Sequence, residues 1–187
     1  MSCLWYLFYA KARKRINKNV LLIILAVIIM KLYIKRDKTS DDSLFVIFDE
    51  FGNEKYNVTR SKNTIYMFDT DNVLRLKVRQ LPLPAIRAYS LTAGNRSIKF
   101  IMNSRPTALN CYYYGTSWHI RGDVFAKSFD IIDADNSLVA THCKRFSDAG
   151  DGYELNVFSE HSEYLSIGTA ICVNLSAMVD NRVVQTV

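Results

Sequence analysis

Few residues in this sequence have the type and spacing for chemistry. His119, His142 and His161 are its only histidines. They form no H-x-x-x-H pair, and Cys3, Cys111, Cys143 and Cys172 form no C-x-x-C pair, so no zinc ligand set is visible. His142 and Cys143 are neighbours, but adjacent side chains on a strand point to opposite faces and cannot act together. There is no G-x-S-x-G elbow, no P-loop and no G-x-G-x-x-G turn. The expectation is a non-enzymatic protein with no catalytic residue, no cofactor and no metal site. The cysteines read as free buried thiols of a reducing compartment, with a Cys111–Cys143 pairing left open.

Charge is the more informative pattern. Between Asp71 and Asp123 there is no acidic residue, while Arg75, Lys77, Arg79, Arg87, Arg96, Lys99, Arg105 and Arg121 all fall in that window. Arg75, Lys77 and Arg79 alternate with Leu74, Leu76 and Val78, so one strand presents three cations on a single face. Arg87 and Lys99 would join them where neighbouring strands bring them close. Such a face could balance charges on adjacent strands, or bind an anionic lipid headgroup or other polyanion.

A second local pattern recurs three times. Ile47-Phe48-Asp49 leads through Glu50-Phe51-Gly52-Asn53 to a new strand, Met67-Phe68-Asp69 through Thr70-Asp71-Asn72, and Ile131-Ile132-Asp133 through Ala134-Asp135-Asn136. Asp and Asn bond nearby backbone and tolerate left-handed φ, which is hairpin chemistry. A calcium loop would need a Glu at position 12. Gln80 stands there counting from Asp69, and Lys144 counting from Asp133.

The elements that must position these residues are mostly strands. The chain has 187 residues, 49% hydrophobic and 22% charged, with 11 Tyr and 10 Phe. That is globular composition with a lean towards β-structure. Short runs bounded by turn residues predict twelve strands: 32–36, 43–48, 54–59, 64–68, 73–80, 85–90, 96–103, 110–115, 118–121, 128–133, 138–145 and 152–158. Ile98, Phe100 and Met102 share one face, as do Tyr153, Leu155 and Val157. Tyr164 to Val179 then carries no charge at all. A helix apolar on all sides is buried on all sides, so it predicts a central helix, capped by Ser159 or Ser162. Of three sequons, Asn174-Leu-Ser176 lies inside this apolar segment.

The N-terminal 29 residues differ from the rest. They hold five of the 24 basic residues and no acid, leaving 19 basic against 18 acidic residues in the remainder, a net of +1 out of the overall +6. A nucleic-acid partner is therefore not expected from the overall charge. Val20 to Met30 is an unbroken apolar run, extended by Leu32-Tyr33-Ile34 after Lys31. Residues 20–34 could associate with or anchor to a membrane, although a spanning helix needs about 17–25 apolar residues. The division expected is 1–29 as a basic, hydrophobic extension and 30–187 as one domain.

Residues 30–187 resemble the LURP-one-related (YxjI-like) family of the tubby C-terminal-like superfamily. The resemblance is carried by Phe45-Val46-Ile47-Phe48-Asp49-Glu50-Phe51-Gly52-Asn53-Glu54-Lys55-Tyr56, Met67-Phe68-Asp69 and Ile120-Arg121-Gly122-Asp123. Phe129-Asp130-Ile131-Ile132-Asp133, Val139-Ala140, Tyr153-Glu154-Leu155 and the closing helix complete it. It implies a mainly β fold, a twelve-stranded antiparallel β-barrel enclosing a central hydrophobic C-terminal helix, with Met30-Lys31-Leu32-Tyr33-Ile34 as the first strand. Tubby proteins bind phosphoinositides and the related scramblases act on phospholipids, so the resemblance implies an anionic phospholipid or membrane surface as partner. The expectation is a cytoplasmic, membrane-associated binding module with Arg75, Lys77, Arg79, Arg87 and Lys99 as the anionic-ligand site. The alternative is a structural or protein-interaction module without a lipid ligand.

Overall fold

The computed structural model describes residues 30–183, apart from 38–41, 84–85, 106–107 and 146–151, with the side chains of the closing helix described as far as Ser176. Twelve strands run in chain order: β1 (Met30–Arg36), β2 (Ser43–Phe48), β3 (Glu54–Ser61), β4 (Thr64–Asp69), β5 (Leu74–Leu81), β6 (Arg87–Ala93), β7 (Arg96–Arg105), β8 (Ala108–Tyr114), β9 (His119–Asp123), β10 (Ser128–Ile132), β11 (Leu138–Arg145) and β12 (Gly152–Val157). A 3-10 turn, Glu160–Ser162, leads into one helix, α1 (Glu163–Val183).

All twelve strands form one sheet in the order β8-β7-β6-β5-β4-β3-β2-β1-β12-β11-β10-β9. Every ladder is antiparallel, including the one between β1 and β12 that joins the first and last strands. The sheet curls into a nearly closed barrel around α1. Its remaining seam lies between β8 and β9, which touch near their connecting turn without a ladder among the described residues.

Alternation decides what fills the barrel. Leu32, Ile34, Phe45, Ile47, Val58 and Met67 are fully buried, and Leu76, Val78, Leu91, Phe100 and Leu155 continue the set around the wall. Against them α1 buries Leu165, Ile167, Ala170, Ile171, Cys172 and Val173. Polar residues on so enclosed a helix need partners. Thr169 and Ser176 donate to the helix carbonyls of Leu165 and Cys172, at 3.0 and 2.7 Å. Leu165 and Ile171 are buried and Leu175 packs against the same core, while the side chain of Val179 lies outside those described.

The antiparallel order sorts the connections by end. Those leaving even-numbered strands lie at the proximal end, where α1 begins, and those leaving odd-numbered strands lie at the distal end. All three Asp-bearing turns are therefore proximal. They share one backbone: the Asp N–H bonds the carbonyl four residues on, and the residue three on donates back to the Asp carbonyl. That third position has left-handed φ, +85° at Gly52, +59° at Asn72 and +65° at Asn136. Each turn is followed by a register shift, so the hairpin reading holds in detail. Asp49 and Asp69 each use one carboxylate oxygen to accept two backbone N–H groups, so these oxygens are occupied by the turn itself.

Several expectations are corrected. β6 runs to Ala93 rather than stopping at residue 90, because Leu91, Thr92 and Ala93 stay paired with Ile98, Ser97 and Arg96 down to the Gly94-Asn95 turn. It starts at Arg87 because the preceding Leu81-Pro82-Leu83-Pro84 stretch has two prolines without N–H donors. Neither serine caps the helix with an acceptor oxygen. Ser159 makes no side-chain cap bond, and Ser162 Oγ instead donates to the Ser159 carbonyl. Met30–Ile34 belong to β1, with Leu32 and Ile34 in the core, so they do not extend an upstream apolar segment. Residues 1–29 lie outside the described residues. Cys111 and Cys143 are not joined in a disulfide, as the thiol reading expected, but they are half-buried rather than buried, and burial pushes the Cys111 thiol up to about 12. No helix among the described residues is long and apolar enough to cross a membrane.

Candidate anionic-ligand face

The register places the predicted cations in three different environments. On β5, Leu76 and Val78 face the core, so Arg75, Lys77 and Arg79 share the outer wall. Arg79 stands opposite Ser90 on β6, and Ser90 stands opposite Lys99 on β7. Strands are spaced about 4.8 Å apart, so Arg79 and Lys99 flank a hydroxyl over roughly 10 Å. One row along, Lys77 stands opposite Thr92, which stands opposite Ser97, and these two hydroxyls bond each other at 3.2 Å. Lys77, Arg79 and Lys99 are exposed, and among the described residues no carboxylate pairs with them. The Lys77 ammonium lies 6.0 Å from the centre of the Tyr66 ring. Tyr114, opposite Lys99, is exposed, so aromatic surface borders the cations on both sides.

Arg75 is different. Its Nε lies 2.6 Å from Asp69 Oδ2, which neutralises it. The backbone N–H of Val73 and the Arg75 guanidinium together hold the Asp69 carboxyl below its ordinary range. The acid-free window hid this partner, because Asp69 precedes Asp71 and reaches Arg75 across the turn.

Arg87 lies on the other face of the sheet. It stands opposite Met102, a core residue, and its Nη1 donates to the Ser176 carbonyl at 2.6 Å. A backbone carbonyl has two lone pairs, so the Ser176 oxygen can accept this charged donor beside its helix bond. Arg87 thus clamps α1 at the distal end instead of joining the outer row.

The structure adds two cations that alternation did not supply. Arg60 and Lys62, both exposed, sit at the β3–β4 hairpin, and the Gln80 N–H bonds the Asn63 carbonyl of that turn at 3.0 Å. Arg79 pairs with Thr64 at the start of β4, so the three cations share the distal rim. The signal was the basic tip Thr59-Arg60-Ser61-Lys62-Asn63. Only sheet order shows that it borders β5.

The other concentration of titratable groups is enclosed. His142 is stacked between Phe129 and Tyr153, with ring centres 4.7 and 5.3 Å away. Its Nδ1 lies 3.0 Å from the Lys127 carbonyl, which can only accept, so Nδ1 carries the proton. Nε2 is left to accept from Asn174 Nδ2 at 3.4 Å. Burial lowers the His142 pKa to about 4, and the imidazole stays neutral. Asn174 is fully buried, so its sequon is inaccessible. Cys143 faces the outer wall opposite Glu154, away from His142, and forms no nucleophilic pair with it. At the proximal end Glu163 accepts from Tyr56 Oη at 2.6 Å and Lys55 Nζ at 3.1 Å, anchoring the start of α1.

Comparison with known proteins agrees with this architecture. The profile of the LURP-one-related family matches residues 30–175. The uncharacterized protein YxjI of Bacillus subtilis is 23% identical over 160 residues, covering 81% of this chain and 95% of that protein. An X-ray structure of an Arabidopsis thaliana protein superposes with a TM-score of 0.54 at 14% identity, covering 79% of this chain and 91% of that one. That likeness establishes the shared tubby C-terminal-like fold.

Proposed function

The chain belongs to the LURP-one-related family, and from that premise we propose that its barrel is a non-enzymatic module binding an anionic lipid headgroup at a membrane surface. The observation that carries this reading is the Arg79–Ser90–Lys99 row on the outer wall, with Lys77, Thr92 and Ser97 in the row beside it. Cations alternating with hydroxyls suit phosphate oxygens, which accept from both. The bordering tyrosines suit the headgroup layer, where amphipathic rings settle.

Full-length protein should sediment with vesicles containing phosphatidylserine at low salt and not with neutral phosphatidylcholine vesicles. Binding should fade between 0.1 and 1 M salt, as the Debye length falls from about 10 Å to about 3 Å. Equal sedimentation with both vesicle types would contradict a charge-driven site. No sedimentation with either would favour a protein-interaction module.

A further inference from the structure

The barrel is charge-polarised along its axis. Antiparallel order puts Asp49, Glu50, Asp69, Asp71, Asp133 and Asp135 at the proximal end. Among the described residues the same order gathers Arg36, Arg60, Lys62, Arg79 and Lys127 at the distal end, against Asp37, Asp42 and Asp123. Asp123 is engaged by its own turn, where it accepts the Ala126 N–H at 2.9 Å.

Both ends also expose apolar side chains. Phe51 is 82% exposed at a proximal turn, beside Asp49 and Glu50. Leu83 at 46% and Phe125 at 59% project from distal connections, and Ile86 is exposed beside Arg87. Apolar exposure alone does not choose an end. Charge does, because the proximal cations Arg75, Lys55 and Arg96 are engaged by Asp69, Glu163 and the His161 carbonyl, whereas the distal Lys62 and Arg79 have no described carboxylate partner. An anionic surface attracts that rim and repels the acidic turns around Phe51.

We propose that the protein docks on an anionic bilayer with its distal end facing the lipid, Arg60, Lys62 and Arg79 against the headgroups and Leu83, Ile86 and Phe125 in the interface. This orientation rests on the headgroup-binding reading and extends it. Each cation contributes about fivefold to partition near an anionic surface, and buried apolar side chains add to it. Arg79 belongs to both the wall row and the rim, so the wall site meets the headgroup layer when the rim is down.

The test uses full-length protein and phosphatidylserine/phosphatidylcholine vesicles at low salt, with circular dichroism confirming each variant's fold. Arg60→Glu/Lys62→Glu should weaken partition at least about 25-fold, two cations at about fivefold each. Leu83→Asp/Phe125→Asp should weaken it by a similar factor, and Phe51→Asp should leave it unchanged. In protein carrying Trp5→Phe, a Phe125→Trp probe should be quenched by brominated lipid and a Phe51→Trp probe should not. Loss of binding by Phe51→Asp, or quenching at position 51 and not at 125, would overturn the orientation. Sedimentation that Lys77→Glu/Lys99→Glu weakens and no distal-rim variant weakens would overturn the orientation and leave the wall site standing. Sedimentation that none of these variants alters would overturn both.

Discussion

Arg75 Nε lies 2.6 Å from Asp69 Oδ2, across the turn that joins β4 to β5. The contact separates three cations that look equivalent along the strand. Arg75 belongs to the turn, while Lys77 and Arg79 face outward without a described carboxylate. Arg75→Ala should therefore leave vesicle partition nearly intact. It should lower the melting temperature more than Arg79→Ala does, because it removes a partner that helps hold the Asp69 turn. Thermal melts of the two variants check this, and equal melts would remove Arg75 from the turn's support.

Acid stability should carry the signature of His142. Its folded pKa is lowered to about 4 by burial, and the Lys127 charge lowers it further while the Lys127 carbonyl partly opposes. An unfolded chain binds that proton below about 6.5, whereas the native protein resists until about 4. Stability from this group is complete above pH 6.5 and is lost as pH falls towards 4, by about 3 kcal/mol. Below that window the carboxylates of Asp49, Asp69 and Asp135, all held below their ordinary range, lose their contribution in turn. Urea unfolding from pH 4 to 7 should show the upper limb in wild type and a flattened one in His142→Gln. A limb unchanged by that substitution would place the proton elsewhere.

Gly168 marks a close approach of helix and wall. A Cβ built there would lie 2.7 Å from Leu91 Cδ2 and 3.1 Å from Leu76 Cδ2. Overpacking costs about 1–3 kcal/mol, and replacing a helical Gly by Ala returns about 1 kcal/mol. Gly168→Ala should therefore be destabilised by about 1 kcal/mol, and Gly168→Val by about 3 kcal/mol or more. Urea midpoints measure both, and a stabilised Gly168→Ala would show that Leu76 and Leu91 rearrange at no cost.

The fold was legible because its signals are local. Ile98, Phe100 and Met102 alternate with polar residues whatever their partners, and the Asp turns close within five residues. The charge-free stretch from Tyr164 could only be enclosed. The candidate site was less legible because it depends on register. Arg87 reads as one more cation until its position opposite Met102 turns it towards α1. Asp69 reaches Arg75 across a bulge and lies outside the acid-free window. Arg60 and Lys62 border β5 through sheet order, and Glu163 meets Tyr56 from 107 residues away.

The outer-wall cations Lys77, Arg79 and Lys99 form the proposed membrane site. Its most direct test is partition of full-length Lys77→Glu/Arg79→Glu/Lys99→Glu onto phosphatidylserine-containing vesicles, beside wild type. Each cation contributes about 1 kcal/mol near such a surface, so reversing three should weaken binding more than about a hundredfold. The fold should hold, because exposed charges carry little stability. Loss of binding with an unchanged melting temperature is the result expected. Binding equal to wild type would contradict the account.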